Sequence, residues 1–214
     1  MQKEDKYFTA SLFFAVTACF TVFSALHHSL ASTKPTANEP KLVGITRAQV
    51  IGATGREGVQ ANRRYVLVEF GDYQCPPCRA EYDAIREVVA ARQPRVGFVF
   101  RHYPLMQTHP AAFTAALYVE AAREQGKFEQ MHTLVYSDAA GVEPAALEEY
   151  ANRLHLNMVA LHASMRTTAK ARVRADMEDA QTLNITATPT LILCGPSGSP
   201  RHITFQELEQ SLPK

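Results

Sequence analysis

The sequence has little cysteine and almost no net charge, and each shortage excludes a class of protein. Four cysteines in 214 residues are too few for a disulfide-stapled secreted scaffold. Lys and Arg number 22 against 21 Asp and Glu, a net charge of +1, so the composition indicates neither a nucleic-acid-binding surface nor an acidic tail. With 46% hydrophobic residues the chain can bury a core, and its length predicts one principal domain.

A long stretch that follows the first six residues contains no charged side chain. No Asp, Glu, Lys or Arg occurs from Tyr7 through Thr33, and Phe8–Leu26 consists largely of Phe, Leu, Val and Ala. As a helix this run would span about 28 Å, close to the thickness of the hydrocarbon core of a bilayer. We therefore predict a transmembrane anchor or a signal peptide at residues 8–26.

The rest of the chain divides around this segment. We predict a short lead at residues 1–7, a linker at residues 27–41 and a folded domain at residues 42–214. The linker contains ASTKPTANEPK, whose prolines and low apolar content are typical of an extended tether. The length of the apolar run favours an anchor, whereas Ser29–Ala31 has the small residues that a signal peptidase requires. Both alternatives stay open.

Apolar patterns predict an α/β domain. Tyr65–Phe70 (YVLVEF) is typical of a buried central strand, and the helix and strand that follow it predict a right-handed βαβ unit with a parallel pair. A helical block at about residues 105–184 separates this unit from a C-terminal hairpin and helix. The predicted elements are strands at 65–70, 96–101, 190–194 and 201–205, and helices at 77–93, 110–124, 127–137, 144–156, 157–183 and 206–212.

The motif Cys75-Pro76-Pro77-Cys78 stands where the first strand turns into the first helix. Unpaired N–H groups and the positive dipole end of a helix stabilise a thiolate, so we expect a lowered pKa for Cys75. Such a thiolate attacks disulfides, and Cys78, one turn further on, can resolve the mixed disulfide. Pro77 fits a first helical turn, and Pro76 stiffens the loop between the thiols.

Zinc is the alternative for any C-x-x-C pair. A structural zinc site needs about two further Cys or His ligands at matching spacing, and the sequence has neither a second C-x-x-C nor a His ladder. Cys19 lies in the apolar N-terminal run, and Cys194 is more typical of an inert buried thiol than of a redox partner. We therefore predict no metal and no organic cofactor.

Other residues are expected near the thiols. Glu69 is the sole charged residue of YVLVEF, and burial would raise its pKa and let it exchange protons with Cys78, unless it points outward and is solvated. Thr188-Pro189 starts a late strand, where a cis peptide would expose backbone groups of Thr188 for pairing with a substrate. His109 is a weaker candidate neighbour of the active site, since such residues more often cap helices or fill turns.

In combination, these features resemble the thioredoxin fold of the DsbA-like disulfide oxidoreductases over about residues 60–214. The segments GDYQCPPCRAEYDAI, FRHYPLMQTHPAAFTAALYVEAAREQGKFEQMH and TATPTLIL are each similar to parts of that family. The resemblance implies a thioredoxin fold with a helical insertion between its βαβ and ββα halves. It also implies roles for single residues: Cys75 as attacking thiol, Cys78 as resolving thiol, Glu69 as buried acid, and Pro189 as cis-proline after Thr188.

One departure leaves the direction of electron flow open. Strongly oxidising members commonly have His where this sequence has Pro77, which is more like reducing thioredoxins. The sequence therefore predicts an oxidoreductase that supports disulfide formation, with a thiol reductase or disulfide isomerase as the alternative. A non-catalytic polypeptide-binding module with a structural disulfide is a third possibility.

The predicted partners follow from this chemistry. Substrates would be proteins with thiols or disulfides, held around Thr188, Pro189, Pro76 and Pro77, and a membrane redox partner would reset the dithiol. The N-terminal segment would hold the domain at a membrane on the extracytoplasmic side, where disulfides persist, or the domain would be periplasmic or secreted after signal cleavage. No nucleic-acid partner is expected.

Overall fold

The computed structural model describes residue 42 and residues 44–52, 62–138, 141–197 and 199–213. All of them belong to one compact unit, Lys41–Lys214. The predicted lead, the membrane segment at residues 8–26 and the whole linker at residues 27–41 lie outside the described residues. Within the described ranges, no helix is both long and apolar enough to cross a bilayer.

A mixed sheet forms the centre of this unit. Its strands are β1 (Tyr65–Gly71), β2 (Val96–His102), β3 (Thr190–Cys194) and β4 (Arg201–Ile203), in the spatial order β2-β1-β3-β4. Strand β1 pairs parallel with β2 and antiparallel with β3, and β3 pairs antiparallel with β4. The predicted parallel βαβ pair and the C-terminal hairpin are therefore confirmed.

Helices cover the sheet and fill the interval between β2 and β3. They are α1 (Arg47–Ile51), α2 (Pro76–Ala90), α3 (Ala112–Arg123), α4 (Phe128–Ser137), α5 (Pro144–Arg153), α6 (Met158–Arg166), α7 (Thr168–Thr182) and α8 (Leu208–Ser211), with a 3-10 turn at Phe205–Glu207 before α8. Five of them, α3 to α7, make up the helical insertion of a thioredoxin-like α/β fold.

The structure corrects two predicted elements and adds one helix that was not predicted. The helix predicted over residues 157–183 is two helices, because Thr167 has φ −123° and ψ −97° and interrupts it. The last strand ends at Ile203, since Thr204 caps the 3-10 turn that follows. Helix α1 was not predicted, although the Thr46 and Gln49 side chains form a capping box that marks its start in the sequence.

Strand β1 is central because both of its faces are buried. Val66, Val68 and Phe70 pack in one apolar cluster with α1 and the segment that follows α7, whereas Leu67 packs in another with Ile85 of α2. Successive side chains of a strand point to opposite faces, so burial on both sides requires a continuous apolar run rather than alternation. Glu69 lies on the same face as Leu67, beneath α2.

A buried ion pair joins the sheet to the last helix of the insertion. Arg101 in β2 is 1% exposed and donates Nε and Nη2 to Asp176 Oδ1 in α7, at 3.0 and 2.9 Å. The other carboxylate oxygen of Asp176 accepts the backbone N–H of His102 at 2.9 Å. Arg101 also contacts Asp179, whose side chain is 47% exposed. These contacts fix α7 against the end of β2.

We expect Asp176→Ala to lower the free energy of unfolding by about 3 kcal/mol, because it leaves the buried Arg101 charge without its main partner. Urea denaturation of the full chain measures the loss. The matched control is Asp179→Ala, which removes a half-exposed partner of the same guanidinium and should cost less than about 1 kcal/mol. Equal losses in the two variants would contradict the importance of the buried pair.

Candidate active site

Cys75 is the N-cap residue of α2 and has an extended backbone, with φ −71° and ψ 121°. Pro76 and Pro77 occupy the first two helical positions, where a backbone N–H has no partner inside the helix. The first N–H of the helix is therefore that of Cys78. The next one, from Arg79, bonds to the Cys75 carbonyl at 3.1 Å. The two prolines thus hold the turn and place both thiols at the helix start.

Both thiols are free and buried, with 4% of Cys75 and none of Cys78 exposed. As a thiol, Cys75 donates to the Thr188 carbonyl with its Sγ at 3.3 Å. The pKa of Cys75 is lowered to about 6, mainly by a hydrogen bond from the Cys78 thiol. Hydrogen bonds from the Thr188 side chain and the Cys78 N–H contribute to this lowering, whereas burial opposes it. The Thr188 hydroxyl is buried and has no other hydrogen-bond partner among the described residues.

Cys78 behaves in the opposite way. Its hydrogen bond to Cys75 raises its pKa, and burial, together with the charge of nearby Glu69 once that group is ionised, raises it further. Near neutral pH the pair therefore holds one thiolate, on Cys75, and one proton, on Cys78. This asymmetry suits nucleophilic attack by Cys75. The main cause is a side-chain hydrogen bond between the two thiols, whereas the sequence pointed to the helix dipole.

Glu69 is 3% exposed in the middle of β1, so the outward-pointing alternative was wrong. Burial, followed by the charges of Glu81 and Cys75, raises the pKa of Glu69 to about 8. Gly71 leaves room for this carboxyl: a Cβ there would lie 2.9 Å from Glu69 Oε1 and 2.4 Å from the Phe100 ring. Glu69 therefore retains its proton at neutral pH in the folded chain.

An aromatic cluster surrounds the inner side of the site. The rings of Tyr73, Tyr82, Phe100, His132 and Tyr136 pack with centroids 4.7 to 6.0 Å apart. All of them except His132 belong to the same apolar cluster as Cys78. Burial holds the pKa of His132 well below its ordinary value, and its Nδ1 lies 2.8 Å from the Tyr73 hydroxyl. This apolar surrounding keeps water away from Cys78 and strengthens the electrostatic interactions there.

Arg79 connects the dithiol helix to the insertion. Its guanidinium donates to the carbonyls of Tyr136 and Asp138 at 2.6 and 2.7 Å, at the end of α4. It also donates to the carbonyl of Tyr73, at 3.3 Å. Sequence reasoning missed this residue, because an arginine after the second cysteine has the pattern of an ordinary exposed helix charge.

The structure also places the other predicted substrate-binding residues. The Thr188–Pro189 bond is cis, and both residues are partly exposed beside Cys75 at the start of β3. Pro76 and Pro77, which follow Cys75 at the start of α2, are exposed. His109 lies in the loop after β2 and contacts Asp72, which the sequence did not single out. Among the described residues no group of three or more His, Cys, Asp or Glu could hold a metal ion.

Comparison with known proteins identifies the family and supports the fold. A family model described as thioredoxin matches residues 61–211. A thioredoxin-like oxidoreductase from Silicibacter pomeroyi DSS-3 superposes with a TM-score of 0.60 at 25% identity, over 72% of this chain and 87% of that one. DsbA2 from Pseudomonas aeruginosa gives 0.55 at 25% identity, over 67% and 80% of the two chains.

Curated relatives match a smaller share of their own length. The Na(+)/H(+) antiporter NhaA 1 of Mycolicibacterium vanbaalenii is 37% identical over 133 residues, 61% of this chain but 22% of that protein. That of Mycobacterium sp. (strain KMS) is 35% identical over the same length. The chain thus spans about a fifth of the length of the curated relatives that it matches.

The fold, the family match and the structural neighbours establish that the chain belongs to the thioredoxin family, as a DsbA-like thiol–disulfide oxidoreductase.

Proposed function

We propose that the protein donates disulfides to protein thiols outside the cytoplasm through the Cys75–Cys78 pair. The observation that carries this proposal is the lowered pKa of Cys75, about 6, next to the raised pKa of Cys78. A stabilised thiolate favours the reduced form of the pair, and a pair that prefers to be reduced is an oxidant of other thiols.

The exchange has two steps that balance in atoms and electrons. In the oxidised protein, a substrate thiolate attacks Cys75 Sγ, the Cys75–Cys78 bond breaks, and Cys78 leaves with the electron pair. A second substrate thiolate then attacks the substrate sulfur of the mixed disulfide and releases Cys75 as a thiolate. The substrate loses two electrons and gains a disulfide, and the protein gains both electrons.

Glu69 supplies the proton that the first step needs. Cys78 leaves as a buried thiolate whose pKa is raised, so it must be protonated at once. Glu69, with a pKa raised to about 8 by burial, holds a proton at pH 7 and lies on the face of β1 beneath α2. Proton transfer from Glu69 to Cys78 prevents the reverse attack on the mixed disulfide.

The substrate polypeptide lies beside Cys75. The Thr188 carbonyl, 3.3 Å from Cys75 Sγ, is positioned to pair with a backbone N–H of an extended chain. Pro76 and Pro77, exposed directly after Cys75, offer an apolar surface to the same chain. After turnover the reduced pair must pass two electrons to a redox partner. We assign this role to a membrane oxidoreductase.

The location rests on the apolar run Phe8–Leu26 and on the chemistry. An anchor or signal segment ahead of a dithiol domain directs the domain to a compartment where disulfides persist. Sodium–proton antiport, the activity in the names of the curated relatives, is not part of the proposal, because the match spans about a fifth of those proteins.

The redox potential of the full chain tests the direction of transfer. After equilibration with glutathione buffers, free thiols are alkylated and the products are weighed. We expect a value well above that of thioredoxin, about −270 mV, and nearer to that of DsbA, about −120 mV. A value near −270 mV would support the reductase alternative, which Pro77 favours. The Cys194→Ser variant should have the same potential, because Cys194 is buried in β3 with its pKa raised to about 11.

A further inference from the structure

A second buried acid lies in the turn between β1 and Cys75. The Asp72 side chain is 0% exposed; its Oδ1 accepts the N–H of Gln74 at 2.7 Å, and its Oδ2 accepts that of Leu105 at 2.8 Å. His109 Nδ1 is 2.8 Å from the same Oδ2, and since a carboxylate only accepts, this nitrogen carries the hydrogen. The Asp72 carbonyl accepts the N–H of Cys75 at 3.2 Å.

These contacts connect two loops. Because β1 and β2 are parallel, the turn after β1 and the loop after β2 start at the same edge of the sheet. Asp72 binds that second loop through Leu105 and His109, and Gln74 binds it through its side-chain oxygen, which accepts the N–H of Ala111 at 2.9 Å. The residues directly before Cys75 are therefore held from both ends of the turn.

The pair also acts on Cys75 through charge. The negative charge of Asp72 opposes the Cys75 thiolate and raises the pKa of Cys75. The hydrogen bond that His109 Nδ1 donates to the Asp72 carboxylate offsets that effect. The His109 side chain is 18% exposed, whereas the Asp72 side chain is fully buried.

We propose that Asp72 and His109 form a positioning pair that holds the turn before Cys75 and whose charge tunes the Cys75 thiolate. Neither side chain contacts the sulfur in this structure, so both act through the turn and through space. The titratable groups that act on this thiolate are Glu69 from β1, Cys78 and Glu81 from α2, and Asp72 of the pair. The inference rests on the proposed role of Cys75 as attacking thiol.

A double-mutant cycle on the reduced full chain tests the pair. The readout is the rate of alkylation of Cys75 by iodoacetamide from pH 4 to pH 9, with the site identified by mass spectrometry. We expect His109→Leu to move the midpoint up by about half a pH unit, which makes alkylation about twofold slower at pH 6, because Asp72 is no longer offset. Asp72→Asn should move the midpoint down by a similar amount.

The double variant is decisive. If His109 acts through the Asp72 charge, Asp72→Asn with His109→Leu should have the midpoint of Asp72→Asn alone. His109→Asn, which retains an N–H donor near the position of Nδ1, should fall between the wild type and His109→Leu. A merely structural role would lower stability without these opposite shifts of the midpoint.

The matched control is His162→Leu. His162 Nε2 makes a similar contact with Glu148, at 2.9 Å, between two helices of the insertion, and its loss should leave the midpoint of Cys75 unchanged. An unchanged midpoint in His109→Leu, or an equal upward shift in the Asp72→Asn background, would overturn the inference. If the wild type has no thiolate that reacts near pH 6, the proposed function itself is wrong.

Discussion

Cys75→Ser will reduce disulfide exchange to the uncatalysed background. A serine cannot form the disulfide with Cys78 that a substrate thiolate attacks, so the variant has no Cys75–Cys78 disulfide to donate. The assay is oxidation of a reduced two-cysteine peptide by the oxidised full chain, followed by mass spectrometry. Catalysis by the variant would show that another group carries the exchange.

Cys78→Ser will give a different result. Cys75 can still attack a substrate disulfide, but no second thiol releases the product, so covalent complexes with substrate should accumulate. Non-reducing gels detect them, and reductant removes them. The control is Cys194→Ser, which should turn over as the wild type does, because Cys194 lies in β3 among apolar side chains. Trapped complexes through Cys194 would contradict the assignment.

Glu69→Gln will remove a pH dependence of stability. The folded chain holds the Glu69 proton up to a pKa of about 8, whereas the unfolded chain releases it near the ordinary value of 4.5. Between these values the unfolded state binds fewer protons, so the wild type loses stability as pH rises, by up to about 5 kcal/mol, and no further above pH 8. Glutamine does not titrate in this range, so the free energy of unfolding of the variant should rise relative to that of the wild type from pH 5 to pH 8.

Urea denaturation of the reduced full chain at pH 5 and pH 8 measures this difference. Cys75, whose pKa is lowered to about 6, adds stability as pH rises above 6 in both proteins, so comparing the two isolates Glu69. The control is Glu81→Gln, also near Cys75, where half-burial should give a smaller effect of the same sign. Parallel pH profiles of wild type and Glu69→Gln would mean that Glu69 is ionised in the folded protein.

The same substitution tests the catalytic proposal. If Glu69 protonates Cys78 as it leaves, Glu69→Gln should slow turnover without lowering the alkylation rate of Cys75. If turnover and the alkylation rate of Cys75 both fell, the substitution would have disturbed the surroundings of both thiols rather than the proton transfer alone. Measuring both stability and turnover of Glu69→Gln thus separates the cost of burying this acid from its role in proton transfer.

Much of the fold was predictable because its signals are local. The apolar run of β1 and the recurrence of apolar residues every three or four positions along α2 each reflect the burial of one short segment. The position of Cys75 at a helix start follows from two prolines in the first turn. Thr167 shows the limit of this approach, since the residues around it keep a helical pattern across the break between α6 and α7.

By itself, the sequence determined the α/β order, the dithiol and the resemblance to DsbA-like oxidoreductases. Tertiary structure decided the chemistry around the dithiol: Thr188 meets Cys75 across 113 positions, His109 meets Asp72 across 37, and Arg101 meets Asp176 across 75. The physical reason is that a pKa depends on burial and on charges within a few ångströms. Both are set only when distant segments pack together, and a periodic pattern records which side of a segment is buried but not what faces it.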